Sequence, residues 1–220
     1  DQPFDGWAMG GKHTKSPELS LRRLVTLIDE GLLEKGKHDW IHFLGTSKLE
    51  WALLLTDVQR AIRKYHNPNL TISFDCASPF LATANGQLYV TNEMVDRKSW
   101  SYRMTPSVDN KKYATDTRPF KDAVLQDKIF KAFDGSPIMD RSMIRDVCIY
   151  KPGDLNKLGK EGRTSWDAFS YAIQMGHNVY QHIRAVQDSN RLYESGQACP
   201  KMLVDERHDI TYVSEIIDEI

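Results

Sequence analysis

Three strand-like runs constrain the fold of this chain most. They lie at residues 4–11, 40–44 and 70–74, the second nearly continuously apolar, and their centres are about 33 residues apart. A segment with helical periodicity fills each interval. Parallel strands need long crossover connections, usually containing a helix, so the spacing predicts consecutive βα units of a parallel sheet or barrel, with the second strand buried.

The two intervening helices have recognisable start signals. Ser16, Pro17 and Glu18 supply an N-cap, a proline at the first helical position and an early acid. Ser47 and Glu50 have the spacing of a capping box. The predicted apolar faces are Leu21, Leu24, Val25, Ile28 and Leu32 in the first helix, and Leu54, Val58, Ala61, Ile62 and Tyr65 in the second. Each helix therefore has a side that faces a core.

The third run carries a carboxylate to its end. Residues 70–74 alternate apolar and polar side chains, Asp75 follows, and Pro79 bends the chain. In α/β folds, active sites gather at the carboxyl ends of the strands. An aspartate after a strand is also a common turn or capping residue, so position alone leaves both interpretations open. Similarly, Gly10-Gly11 after the first run either lets backbone approach a ligand or makes a turn.

The rest of the chain is less regular. Its predicted features are a hairpin turn at Asn85-Gly86 within residues 81–90, a helix over 121–133, an irregular stretch over 134–163, a long helix over 165–193 and an acidic amphipathic segment over 213–220. The long helix has His177 in its middle. The terminal segment is expected to serve packing or association.

Charge and cysteine content limit the functions open to the chain. With 29 basic and 30 acidic residues the net charge is -1, so a polyanion site has to be a local patch. Basic and aromatic side chains alternate within residues 92–119, as in nucleic-acid binding or in a solvated loop. Three widely spaced cysteines predict reduced thiols. No apolar run reaches about 18 residues and no leader is evident, so we expect a cytoplasmic protein without a membrane span.

Four short motifs occur in a recognisable order. They are Gly6-Trp7-Ala8-Met9-Gly10-Gly11, then Phe43-Leu44-Gly45-Thr46, then Phe74-Asp75-Cys76 with Pro79 and Asn85-Gly86, and finally Gly176-His177-Asn178. In order and spacing they resemble the tRNA-guanine transglycosylases, (β/α)8-barrel enzymes that exchange guanine in nucleic acid for a 7-deazaguanine base. The resemblance covers roughly residues 1–90 and 165–190.

The resemblance implies an architecture and a site. Residues 1–90 would be the last three βα units of a TIM barrel, 91–164 an irregular insertion and 165–220 a helical region. Asp75 would be the nucleophile that forms a covalent glycosyl intermediate, without a cofactor. The residues expected at the bound base are Gly10, Gly11 and Gly45, through their backbone groups, and Leu44, which would pack on its face. The basic residues of the stretch 92–119 lie outside the resemblance, and those expected from their own pattern to bind nucleic acid are Arg97, Lys98, Arg103, Lys111 and Lys112.

Two departures from the family concern the barrel and zinc. Three βα units cannot close a barrel, and the family's general base lies on earlier strands without a counterpart here. We expect the missing strands in the same, longer protein rather than in a second copy or a partner protein. The family's C-x-C-x-x-C cluster is also missing and Cys148 stands alone, so we predict no metal, with His177 kept for hydrogen bonding or packing.

A third departure concerns the polymer. Leu81 and Ala84 stand where the family has arginines that read the anticodon, and Phe80 replaces a threonine. An alkyl group is a poor replacement for an arginine fork in polar base recognition. We therefore favour the branch that inserts 7-deazaguanines into DNA, in a bacterium or a phage-infected cell. The alternatives are a tRNA enzyme with altered recognition and a non-catalytic accessory subunit of the same fold, against which the retention of Asp75 counts.

Overall fold

The structure, a computed structural model, describes residues 4–95, 99–107, 111–113, 115–124, 128–133, 135–148 and 168–197. These residues form a mixed α/β protein. The strands are β1 (Gly6–Met9), β2 (Trp40–Phe43), β3 (Thr71–Phe74), β4 (Gln87–Val95) and β5 (Ser99–Pro106). The α-helices are α1 (Pro17–Asp29), α2 (Leu49–Tyr65), α3 (Ser78–Ala84), α4 (Phe120–Val124), α5 (Arg145–Cys148) and α6 (Ala168–Glu194).

The described residues divide into two compact units. The first contains residues 4–77, residue 99 and residues 189–197, and the second contains the described parts of 78–95 and 100–188. Helix α6 therefore lies mostly in the second unit and contributes its last residues to the first. None of the described helices is both long and apolar enough to cross a membrane.

The first unit contains a parallel sheet in the order β1-β2-β3. Its register places Trp40 opposite both Gly6 of β1 and Thr71 of β3, and it continues unbroken to the ends of the strands. The predicted parallel arrangement of the three runs is therefore confirmed, while the described residues form no closed barrel. On β3, the Ile72 N–H donates to Gln59 Oε1 of α2 at 2.6 Å, so this backbone donor is already engaged by a side chain.

Side chains of the sheet alternate between a buried and an open face. Ile41 and Phe43 are fully buried in the core that α1 and α2 complete, whereas Trp40 is 50% exposed and Leu44 is 48% exposed. The expectation of a continuously buried second strand is therefore wrong. Successive side chains of a strand point to opposite faces, and only one face of β2 is packed against the two helices.

Helices α1 and α2 complete the core of the first unit. Their buried apolar side chains include Leu21, Leu24, Leu27, Leu54, Leu55, Val58 and Ile62. Ser16 caps α1 as predicted, because its hydroxyl accepts the Leu19 N–H at 3.4 Å. Pro17 occupies the first turn, where no intrahelical donor is needed.

Two details of α2 differ from the prediction. The helix begins after Lys48, which is the N-cap and makes no side-chain cap bond, so the expected capping by Ser47 is wrong. The loop before it is held elsewhere, since the Thr46 N–H donates to Asp75 O at 2.8 Å. Tyr65, predicted on the apolar face, is 53% exposed and its hydroxyl accepts a bond from Lys64 Nζ. A phenol at a helix end keeps its polar tip in water.

A core rich in aromatic side chains holds the second unit together. Its members include Leu88, Tyr113, Phe120, Phe130, Phe133, Met139, Ile144 and Val147. The ring of Phe120 packs edge-on against those of Phe130 and Phe133, with centroids 5.2 Å apart in both pairs. This geometry matches the positive edge of one ring to the negative face of another.

Asn85-Gly86 ends a helix, so the predicted hairpin turn is wrong. The Asn85 N–H donates to Leu81 O of α3, and Gly86 has a φ of 70°. A residue in this left-handed conformation commonly follows a helix C-terminus, which needs the same backbone freedom as a hairpin. The following strand, β4, pairs with β5.

The helix predicted over residues 121–133 is only partly correct. Helix α4 covers its beginning, but Lys128–Phe133 is a 3₁₀-helix. In a 3₁₀-helix, side chains three residues apart are aligned, and here Phe130 and Phe133 both enter the aromatic core. The stretch predicted to be irregular contains another 3₁₀-helix, Pro137–Arg141, and α5.

The predicted long helix is confirmed as α6, which carries a fully buried asparagine. Asn178 Oδ1 accepts the Tyr89 N–H at 2.8 Å. Its Nδ2 lies 3.1 Å from Pro79 O, 2.8 Å from Thr83 Oγ1 and 3.0 Å from Gln87 O. One amide thus joins α6 to both α3 and β4. The amphipathic segment 213–220 lies outside the described residues.

Candidate active site

The carboxyl ends of the three parallel strands form one continuous edge. The Leu44 N–H donates to Met9 O at 2.8 Å, and the Asp75 N–H donates to Phe43 O at 3.3 Å. These bonds extend the register beyond the strands themselves. Gly10 directly follows Met9 in the chain. The expected placement of Gly10, Gly45 and Asp75 together at the carboxyl ends of the three parallel strands is therefore confirmed.

Asp75 is held through one of its two carboxylate oxygens. Its Oδ1 accepts the Gly45 N–H at 3.2 Å and lies 3.1 Å from His42 Nε2. Its Oδ2 has no hydrogen-bond partner within the part of the chain that the structure describes. Because the side chain is 59% exposed, this second oxygen is open to a reactant while the first fixes the orientation of the group.

His42 connects Asp75 to two further side chains on the open face of the sheet. Its Nδ1 lies 2.8 Å from Ser73 Oγ, and Trp40 Nε1 donates to the same oxygen at 2.7 Å. An ionised carboxylate can only accept, so the ring nitrogen that faces Asp75 carries a hydrogen, and in the neutral imidazole Nδ1 then accepts the hydrogen of the Ser73 hydroxyl. In this arrangement the neutral imidazole carries its proton on Nε2, facing the carboxylate. The four side chains then form one directed series of hydrogen bonds.

A serine, a histidine and a carboxylate in series also occur in acyl-transfer triads, where the serine attacks and the carboxylate orients the histidine. Here the exposures run the other way, because the side chain of Asp75 is 59% exposed and that of His42 only 24%. Ser73 Oγ is also engaged by Trp40. The more accessible end of this series is therefore the carboxylate.

The residues expected at a bound base lie at the same edge of the sheet as Asp75 but differ in what they offer. A Cβ on Gly10 would come within 3.3 Å of Leu44 Cδ1, so these two residues are in close contact. Leu44 exposes an alkyl surface on the open face. Gly11 and Gly45 have φ of 65° and 71°, which favour glycine. The Gly45 N–H is engaged by the carboxylate rather than left for a ligand.

The residues expected to bind nucleic acid are only partly described. Arg103 is exposed on β5, and Lys112 is exposed with its ammonium 4.5 Å from the centroid of the Tyr113 ring. Lys111 begins a short 3₁₀-helix. Arg97 and Lys98 lie outside the described residues. The described part of the chain therefore gives no geometry for a continuous basic surface.

His177 is a buried structural histidine, as predicted. It is fully buried, its Nε2 donates to Tyr89 O at 2.8 Å, and its ring packs against Phe133. Burial lowers the pKa of His177 to about 4, because a charged imidazolium would lose its hydration there. Within the described ranges, no three His, Cys, Asp or Glu side chains are grouped as metal ligands would be.

Trp40, His42 and Ser73 were not predicted as site residues from the sequence. Each lies an even number of residues from Leu44 or Asp75 on its own strand, which places it on the same face of the sheet. This even spacing was the sequence signal from which the three residues could have been assigned to the site. The pairing that puts His42 opposite Ser73 depends on the register between β2 and β3.

Comparison with known proteins adds no relative: no protein-family model, no curated protein and no solved structure matches this chain.

Proposed function

We propose that this protein takes part in exchanging guanine in nucleic acid for a 7-deazaguanine base, with Asp75 as the nucleophile. The observation that carries the proposal is the state of this carboxylate. One oxygen is fixed by Gly45 and His42, the other is open, and the group lies at the carboxyl edge of a parallel sheet. Sites of catalysis in such folds lie at this edge.

The arrangement supports a two-step displacement with retention. Asp75 Oδ2 attacks C1′ of the target nucleotide, the bond from C1′ to N9 breaks, and guanine leaves with the electron pair and takes up a proton. The incoming base then gives up a proton, attacks C1′ through its ring nitrogen and releases the carboxylate. The target nucleotide has to leave its stack to reach the site.

A complete (β/α)8 barrel is part of the proposal, with further strands beside this sheet. The open face with Trp40 and Leu44 supports it, because parallel sheets are almost always covered on both faces. A strand that pairs with the Ile72 N–H has to displace Gln59. The proposed barrel therefore requires this one side chain to move if a strand joins β3.

DNA is the favoured polymer because α3 lacks the cations that would read an anticodon. At the positions concerned, Leu81 is 53% exposed and Ala84 is only 5% exposed. An alkyl side chain offers no hydrogen bond to a base edge, and a buried alanine offers no contact at all. The exposed Arg103 and Lys112 are the described members of the proposed backbone-binding set, and binding through them should fall steeply with salt.

The test is to incubate the protein with labelled guanine and, separately, duplex DNA and tRNA. We expect label to enter DNA, and Asp75→Asn to abolish incorporation, because a neutral amide cannot form the glycosyl ester. Asp57→Asn in α2 is the matched control and should retain activity. Label in tRNA alone would favour the tRNA alternative. Label in neither polymer, with binding intact, would favour the accessory subunit and refute the enzymatic proposal.

A further inference from the structure

We infer that His42 is a positioning residue for the nucleophile, with Ser73 and Trp40 holding its ring in place. This inference rests on the proposed function, because it assigns His42 a role in the reactivity of Asp75. The geometry behind it is the series of hydrogen bonds that begins at an indole N–H on β2 and ends at the open carboxylate.

The direction of each bond in the series follows from what each group can donate. Trp40 donates to Ser73 Oγ, at 2.7 Å, and cannot accept. In the neutral imidazole Nδ1, 2.8 Å from Ser73 Oγ, accepts the serine hydroxyl hydrogen, because the Asp75 carboxylate can only accept and therefore requires the ring proton on Nε2. That proton points to Asp75 Oδ1, 3.1 Å away. A histidine held in this tautomer donates to the carboxylate without itself being charged.

The two oxygens of the Asp75 carboxylate have different roles, because both donors contact Oδ1. The Gly45 N–H and the imidazole both contact Oδ1, so the group cannot rotate freely and Oδ2 stays turned to the open side. Precise placement of a reacting atom accounts for a large part of enzymatic rate enhancement. Loss of the imidazole should therefore lower the rate of the chemical step more than it weakens substrate binding.

Two substitutions distinguish which ring nitrogen matters. Glutamine places its amide nitrogen near the position of Nε2, and asparagine places its own near that of Nδ1. We expect His42→Ala and His42→Asn to lower kcat roughly 10- to 100-fold with little change in KM, and His42→Gln to restore most of the loss. His66→Gln, at an exposed histidine after α2, is the control and should leave kcat unchanged.

A second measurement does not depend on activity. Nitrogen-15 NMR of the histidine rings should show His42 in the Nε2–H tautomer, and Asp75→Asn should shift its ring signals while those of His66 stay in place. Equal kcat in His42→Asn and His42→Gln, an unaltered kcat in His42→Ala, or an Nδ1–H tautomer would overturn the inference. If the wild-type protein exchanges no base, the proposed function fails, and the tautomer and its response to Asp75→Asn alone decide the hydrogen-bonded series.

Discussion

Replacing Asn178 with aspartate should destabilise the second unit far more than an equivalent change on the surface. The substitution keeps the oxygen that accepts the Tyr89 N–H but removes both amide N–H groups, which serve three acceptors on α3 and β4. Two lost hydrogen bonds cost about 2 kcal/mol. An ionised carboxylate facing two carbonyl oxygens in a fully buried position raises the total to about 4 kcal/mol.

The assay is urea unfolding of Asn178→Asp, followed by far-UV circular dichroism at neutral pH. Gln187→Glu is the matched control, because it makes the same change from amide to carboxylate at an exposed position of the same helix. It should alter the free energy of unfolding by no more than about 0.5 kcal/mol. A difference between the two variants below about 1 kcal/mol would show that the amide does not join the three elements as described.

Two further predictions concern the sheet and pH. Gly6→Ala should destabilise the first unit by about 2 kcal/mol or more, because its Cβ would lie 2.2 Å from Trp40 O. In Gly10→Ala the Cβ meets only the end of the Leu44 side chain, at 3.3 Å, so this variant should lose less stability. Equal unfolding midpoints of the two variants in urea would refute the packing argument. Because the pKa of His177 is lower in the folded state, this histidine is protonated in the unfolded state at a higher pH than in the folded state. Stability should therefore be complete above about pH 6.5 and fall by about 3 kcal/mol as the pH drops to about 4. Urea unfolding at about pH 7 and about pH 4.5 checks this. Burial also lowers the pKa of His182, so part of the slope should remain in His177→Gln, and a slope as steep as that of the wild type would contradict the prediction.

The layout of the first unit could be predicted because its signals are local and agree with one another. Ser16 and Pro17 mark the start of α1, and the spacing of the three runs requires parallel connections. Asn85-Gly86 was misinterpreted because a positive φ serves a helix end as well as a hairpin, and α3 is too short to show helical periodicity. The sequence signals for the element type were ambiguous at that point.

The position of Asp75 could also be predicted, but its contacts could not. The apolar side chains of Trp40 and Leu44 made β2 look continuously buried, which hid the fact that His42 belongs to an open face. The bond from His42 to Asp75 joins residues 33 positions apart. Such a contact depends on the register between two strands, which a single sequence specifies only through burial of one face.

The covalent intermediate gives the most direct test of the central claim that Asp75 attacks the sugar. The protein is incubated with a guanine-containing DNA duplex, without an incoming base, and is then denatured rapidly and examined by intact mass spectrometry. The account predicts a protein–DNA adduct that maps to the peptide containing Asp75, is absent from Asp75→Asn and disappears when guanine is added back. An adduct that persists in Asp75→Asn, or that maps to another residue such as Ser73, would contradict it.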